Sequence, residues 1–302
     1  SLGAAYVFTR SGTVWTEQDQ LLASDGASAD RFGISVALDA DTALVGAYGD
    51  DDYRGSAYIF TRGGTAWTEQ QKLVASDRAG LDQFGFSVAL SGDTVLVGAP
   101  YDDARTGSAY VFTHSGTGWT EQYQLAASGG VGDGWFGQAV ALSGDTALVG
   151  APLANAGANE HQGSVYTFTR SGAVWSEQQQ LTGTEGAAGD YFGYAVALDG
   201  DTALVGAYGV DVDSNANQGS AYVFIWNGTA WTLQQKLLAP DGAPSDFFGC
   251  AVALSGDTAL VGASGDDDYR GAAYVFTRSG AVWSFQQKLT AAERWLNSVF
   301  GL

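Results

Sequence analysis

Apolar residues along this chain gather in short runs, and glycine-bearing polar stretches separate them at even intervals. No stretch carries apolar positions at helical spacing, so the elements predicted are short β-strands. Four kinds of run follow one another in fixed order. The first is Val-Ala-Leu, preceded by a small residue (Ser35, Ser87, Ala139, Ala195, Ala251). The second is Thr-Ala-Leu-Val-Gly-Ala and its variants. The third is Ser-Ala-Tyr-Val-Phe, and the fourth begins at a tryptophan and continues Thr-Glu-Gln-Gln-Lys-Leu. Tight turns such as Ser91-Gly92-Asp93 join the first two, and Ser115-Gly116-Thr117 or Asn227-Gly228-Thr229 join the last two. Glycine in such turns supplies the backbone that hairpins need.

The whole unit recurs on a beat. Phe-Gly leads in at Phe32, Phe84, Phe136, Phe192 and Phe248 and appears again at Phe300, with spacings of 52, 52, 56, 56 and 52. Trp15, Trp67, Trp119, Trp175, Trp231 and Trp283 keep the same beat. A period near fifty marks a repeat whose units bury their faces against neighbours. Four antiparallel strands per period make the blade of a β-propeller, with small residues on the crowded innermost strand. The tryptophans, the Phe of Phe-Gly and the Tyr and Phe of the third run are expected to fill the space between blades. Each contributes roughly 4–6 kcal/mol at most, from about 150–250 Å² of burial. The expected fold is all-β, a single propeller domain over residues 1–302. Five first hairpins stand against six second hairpins, the earliest over residues 4–22, so six blades with one incomplete are expected; the alternative is part of a seven-bladed propeller. The chain opens within a repeat and reads as an excised or processed piece. The incomplete blade would present an open edge, a place for self-association or for a partner chain.

Composition narrows the function. Net charge is −20, with 33 acidic against 13 basic residues, which disfavours nucleic acid and anionic membrane as partners. Aromatics at 13% exclude low-complexity disorder. No apolar run approaches a membrane span, so direct membrane insertion is not expected. One cysteine, Cys250, permits no internal disulfide. Catalysis finds no footing: the histidines are His114 and His161, and no nucleophile turn, zinc spacing or phosphate loop is present.

Phe-Gly, a Val-Ala-Leu strand and then Leu-Val-Gly-Ala-Pro resemble the FG-GAP repeat of integrin α-subunit propellers and of many bacterial and archaeal surface proteins. The tail Gly-Ser-Ala-Tyr-Val-Phe-Thr-Arg-Ser-Gly-Thr is similar to the prokaryotic branch. The resemblance covers essentially the whole chain. It implies an extracellular or cell-surface module for adhesion, ligand binding or scaffolding, commonly within a longer protein; a glycan-active enzyme is the remaining alternative to the non-enzymatic reading, through carboxylate pairs on so acidic a face. In the integrin-like pattern an Asp-x-Asp-x-Asp-Gly calcium loop joins the first two strands. Here that link is a tight turn, and Asp41, Asp93, Asp145, Asp201 and Asp257 are expected to bond turn amides instead.

Alternating strand direction puts the long connections at one end of the blades, and most of the acidic residues fall in them. Loops on a rigid scaffold are where binding residues concentrate. Asp30, Asp82, Asp190 and Asp246, two before Phe, are expected to cap their loops. Trp135, Tyr191 and Phe247, one before Phe in consecutive blades, are the candidate ligand-binding residues, an aromatic arc for a protein or carbohydrate ligand; the alternative is packing against their own loops. Asp211, Asp213, Asn215 and Asn217 alternate in a lengthened loop and are the candidate metal ligands, with calcium the cofactor that spacing suggests. The alternative is an ordinary polar loop. A structural or assembly role within a larger surface polymer is the second reading of the chain.

Overall fold

Each four-run unit folds as one antiparallel sheet, because hairpin-sized gaps leave consecutive strands nowhere to go but beside each other. The computed structural model describes residues 3–116, 118–128 and 132–292. Blade 1 holds β1 (Ala5–Ser11) and β2 (Val14–Leu21). Blade 2 holds β3 (Val36–Asp39), β4 (Thr42–Ala47), β5 (Ser56–Gly63) and β6 (Ala66–Leu73). Blade 3 holds β7 (Ser87–Ser91), β8 (Thr94–Ala99), β9 (Ser108–Ser115) and β10 (Gly118–Leu125). Blade 4 holds β11 (Ala139–Ser143), β12 (Thr146–Ala151), β13 (Ser164–Ser171) and β14 (Val174–Leu181). Blade 5 holds β15 (Ala195–Asp199), β16 (Thr202–Ala207), β17 (Ser220–Trp226) and β18 (Trp231–Leu237). Blade 6 holds β19 (Phe248–Ser255), β20 (Thr258–Ala263), β21 (Ala272–Ser279) and β22 (Val282–Leu289).

Among the described residues, strands pair in chain order in every sheet, five sheets having four strands and the first two. The fold class is the one expected: all-β propeller blades, six in number, one incomplete. Blades 1–3 lie in one compact unit, Ser1–Ala126, and blades 4–6 in a second, Ala127–Leu302. The sixth Phe-Gly, at Phe300, lies outside the described residues.

The pleat explains the packing. Along β4, Leu44 faces the next blade while Ala43 and Val45 face the previous one. Leu44, Ile59 and Leu73 of blade 2 therefore meet Phe84, Val95, Val97, Tyr110, Phe112 and Trp119 of blade 3 in one cluster. The same set recurs between blades 4 and 5 and between blades 5 and 6. Trp67, Trp119, Trp175, Trp231 and Trp283 are buried as expected, but Trp15 is 63% exposed. Trp67 is covered by β2 and donates its backbone N–H to Asp19 (2.9 Å).

One local expectation is corrected. Asp41, Asp145 and Asp257 do not spend their carboxylates on their own turns. They accept hydrogen bonds from Arg62, Arg170 (2.6 Å) and Arg278 (2.7 Å) across the blade, and each guanidinium lies over the following Trp67, Trp175 or Trp283. A charged partner with a stacking surface outcompetes a lone amide. Turn amides are instead satisfied from the preceding blade: Gly92 donates to Asp39 (2.7 Å) and Gly256 to Asp199 (2.6 Å).

Candidate functional site

The long connections all emerge at one end of each blade, and they are built from rigid parts. Asp30, Asp82, Asp190 and Asp246 are buried and accept the backbone N–H three residues earlier, at Ala27, Ala79, Ala187 and Ala243. The expected caps are present. Burial holds Asp82, Asp190 and Asp246 above the ordinary carboxylate value, with neighbouring aspartates Asp102 and Asp266 adding to the effect at Asp82 and Asp246. In blades 2, 3 and 6 the loop after the second strand closes one turn over Asp50–Tyr53, Asp102–Arg105 and Asp266–Tyr269. Its middle residues have positive φ, as at Asp51 (49°) and Asp52 (59°), so the turn is left-handed.

That turn buries its first aspartate beneath a tyrosine of the third strand. Tyr110 Oη lies 2.9 Å from both Asp77 and Asp102, and Tyr274 donates to Asp241 and Asp266. Lys72 joins Asp25 (2.6 Å) and Asp50 (2.7 Å), and Lys288 joins Asp241 (2.8 Å) and Asp266 (2.7 Å). The Lys72 hydrogen bond holds the Asp25 carboxyl below its ordinary value. At Asp241 burial pushes upward, and Lys288 with Tyr274 outweighs it, so that carboxyl is lowered too. Blade 3 has Gln124 in place of the lysine, its amide reaching Asp102 (3.3 Å) and Tyr110 (3.1 Å).

Residues one before Phe share a backbone state. Arg31, Gln83, Trp135, Tyr191 and Phe247 all have φ between 54° and 61°. This left-handed kink turns the side chain back over the loops while Phe dives into the core. Tyr191 stacks on Tyr208 (4.9 Å, 5° between planes) and on His161 (6.1 Å). Tyr208 meets Tyr194 (4.6 Å) and Phe247 (5.9 Å), and Phe247 meets Tyr269 (6.3 Å). Two of the three predicted aromatics are thus joined in one run, His161–Tyr191–Tyr208–Phe247–Tyr269, across blades 4 to 6. Trp135 holds the same position one blade earlier, half-buried and outside this run. The bridging residue, Tyr208, is one that sequence reasoning missed. Its signal was available: Tyr follows the second strand in blades 2 and 5, where others have Pro or Ser. Burial, then the neighbouring Tyr191 and Tyr194, pushes the Tyr208 hydroxyl up to about 12.

The candidate metal loop is held by its own hydrogen bonds. Asp211 Oδ1 accepts the Asn217 amide (2.8 Å), and Asn215 Nδ2 donates to Gln218 (2.9 Å) and Gly242 (3.2 Å). Asp213 is exposed at φ 53°. Blade 4 builds the same loop with Asn155 accepting from His161 (3.0 Å) and Asn159 donating to Gln162 (2.9 Å) and Gly186 (3.0 Å). Asn155, Gly157 and His161 therefore serve where blade 5 has Asp211, Asp213 and Asn217. These hydrogen bonds close the loop on itself, whereas a calcium cage needs six to eight converging oxygens. Among the described residues no group of three or more His, Cys, Asp or Glu side chains is placed to hold an ion.

The motif's glycines complete the geometry. A Cβ on Gly46 would lie 2.0 Å from the Gly85 carbonyl oxygen, and one on Gly206 only 1.9 Å from that of Gly249. The second strand of one blade touches the Phe-Gly backbone of the next, so a side chain at either glycine would force the two backbones apart. The FG-GAP repeat pattern matches residues 15–60, 67–112, 119–168, 175–224 and 231–276.

The chain belongs to the FG-GAP repeat family.

It is similar to human integrin alpha-D (25% identity, 74% of this chain and 20% of that protein) and to mouse integrin alpha-2 (29%, 75% and 21%). Human integrin alpha-E is 27% identical over 83% of this chain and 23% of its own length. The chain spans about a fifth of the length of these curated relatives. Each FG-GAP match begins at a tryptophan of the beat and ends at or near the third-strand Phe, so the unit that repeats in sequence straddles two blades. That offset ties neighbouring FG-GAP blades together. Gln71 clasps the Trp119 backbone (2.7 and 2.8 Å), and Gln179 and Gln235 do the same for Trp231 and Trp283.

Proposed function

We propose that the protein is a non-enzymatic adhesion or ligand-binding module working at the cell exterior, with the long-loop end of its blades as the contact surface. Its ligand is a protein or glycan. The observation that carries this reading is the run of rings from His161 to Tyr269, with the Asp190 and Asp246 caps beneath Tyr191 and Phe247 and the Tyr274–Asp266 contact holding the Tyr269 loop. Preorganised aromatics give contact area at small entropic cost. Similarity to integrin α-chains supports the class of activity, not the ligand. Among the described residues no helix is long and apolar enough to cross a membrane.

The test is an array of glycans and purified surface proteins probed with the chain. Replacing Tyr191 and Phe247 by Gln, the residue that blade 3 carries there as Gln83, keeps the backbone state while removing the rings. Hits that weaken at least tenfold in this variant support the reading. Hits that bind the variant as well as the parent would remove the aromatic run from the site.

A further inference from the structure

Asp77 and Asp102 flank the Tyr110 hydroxyl, and two other blades complete the same arrangement with a cation. In blade 2 the Lys72 ammonium joins Asp25 (2.6 Å) and Asp50 (2.7 Å) and lies 5.3 Å from the centre of the Tyr58 ring. In blade 6 Lys288 joins Asp241 (2.8 Å) and Asp266 (2.7 Å) and lies 5.2 Å from the centre of the Tyr274 ring. An aspartate pair and its tyrosine thus hold an ammonium twice within this chain. Blade 3 keeps the pair and the tyrosine and has Gln124 where the lysine stands. Glutamine is one bond shorter and uncharged; its amide reaches Asp102 (3.3 Å) and falls short of Asp77. In blade 4 glutamine recurs as Gln180, but there the sequence has Gly129 at the place of Asp77. Blade 3 has lost the ammonium and kept both carboxylates.

The space beside that pair is open. A cavity of about 590 Å³ is lined by Asp77, Leu81, Asp82, Tyr101, Asp102 and Asp103, whereas its counterpart in blade 6, with Lys288 in its wall, measures about 370 Å³. Arg78 pairs with Asp51 (3.0 Å) and Arg105 lies over Tyr101 (5.7 Å), so neither guanidinium takes the lysine's place. Leu81 is 63% exposed at φ 77°, where the equivalent places in other loops carry Ala29, Gly189 and Ser245. A bulky side chain in the left-handed region is a strained choice, and an exposed one gains no burial in return. It does give an alkyl stem an apolar surface beside the carboxylates. Carboxylates to accept N–H donors and a tyrosine ring to face the charge suit the group that blades 2 and 6 already hold there. We propose that the blade 3 cavity is a binding site for a primary alkylammonium group, carried by a lysine side chain or by a free amine. The Gln124 amide is held by Ser108 and Tyr110 (3.1 Å each), and its long contact to Asp102 is the one that the ammonium replaces. The site uses no residue of the aromatic run, so either reading can fail without the other.

The probes are n-butylammonium and a lysine blocked at both ends, each titrated into the whole chain and followed by ligand-detected NMR. Saturable binding of both is expected. Tighter binding of the blocked lysine supports a protein as the source of the group, and tighter binding of the amine supports a small molecule. A Gln124→Lys chain carries its own ammonium into the site, so it should stay folded by circular dichroism and bind both probes at least tenfold more weakly. Asp77→Asn should weaken them by a similar factor. n-Butyltrimethylammonium keeps the stem and the charge but has no N–H, and it should bind the parent chain at least tenfold more weakly than n-butylammonium. Three results would overturn the proposal: no saturable binding of either probe, equal binding by the Gln124→Lys chain, or equal binding of the quaternary amine. The first means that the pair is satisfied without a cation, the second that binding lies elsewhere, and the third that the acidic surface gathers cations without a site.

Discussion

Asp50, Asp102 and Asp266 occupy the same buried place in three blades, yet only two of those blades supply an ammonium to it. Tyr110 has one hydroxyl proton between Asp77 and Asp102, so one carboxylate of that pair relies on other donors. Gln124→Lys is therefore expected to stabilise the chain, and Lys288→Gln to destabilise it, each by about 1.5–3 kcal/mol, the range for hydrogen bonds to charged groups. Chemical denaturation checks both. Acid should act in two opposite stages. Asp82, Asp190 and Asp246 are held above the ordinary value of 3.8, so they oppose folding at neutral pH and protonation relieves them as pH falls through their raised values. Asp25 and Asp241 are held below 3.8, so their contribution is intact above that value and is lost as pH falls through their lowered ones. A melting temperature that first rises from pH 7 toward 3.8 and then drops below it is the expected outcome. A monotonic fall from neutrality would contradict the assignment of the buried caps.

Elements in this chain are legible where one blade is enough to explain them. The four strands, their turns and the Asp30-type caps follow from local pattern, and each was expected. Contacts that need the neighbouring blade were not. Glu69, Glu121 and Glu177 hold Ser24, Ser76 and Ser128 of the preceding loop, and Gln71, Gln179 and Gln235 hold the next tryptophan. Both residues recur in the fourth strand, but a repeated polar residue does not say which way it reaches. The turn aspartates differ: Arg62, Arg170 and Arg278 reach them within one blade, from a third strand 21–25 residues further along the chain. Tyr208 joins Tyr191 to Phe247 only once adjacent loops are seen together. Glycine 206 shows how tight that junction is: Gly206→Ala is expected to cost about 1–3 kcal/mol, as overpacking does, and to lower the denaturation midpoint. In the lengthened loop, Asp211→Asn should be nearly neutral because Asn155 does the same work in blade 4. Calcium titration of the parent chain should give no saturable heat from this loop. A stoichiometric calcium isotherm abolished by Asp211→Asn would contradict the self-closed reading.

At the scale of the whole molecule, a net charge of −20 makes self-repulsion a standing load on the fold. Raising ionic strength from near zero to about 0.15 M, where the Debye length is about 8 Å, is expected to raise the melting temperature. The functional account rests on the long-loop end being the contact surface and the turn end being inert. The most direct measurement compares three proteins on the same array of glycans and purified surface proteins. They are the parent chain, the Tyr191→Gln, Phe247→Gln chain, and a His114→Ser chain altered at the exposed turn end. Binding lost at least tenfold in the first variant and kept in the second is the expected result; binding that survives loss of the rings and falls with His114 would contradict it.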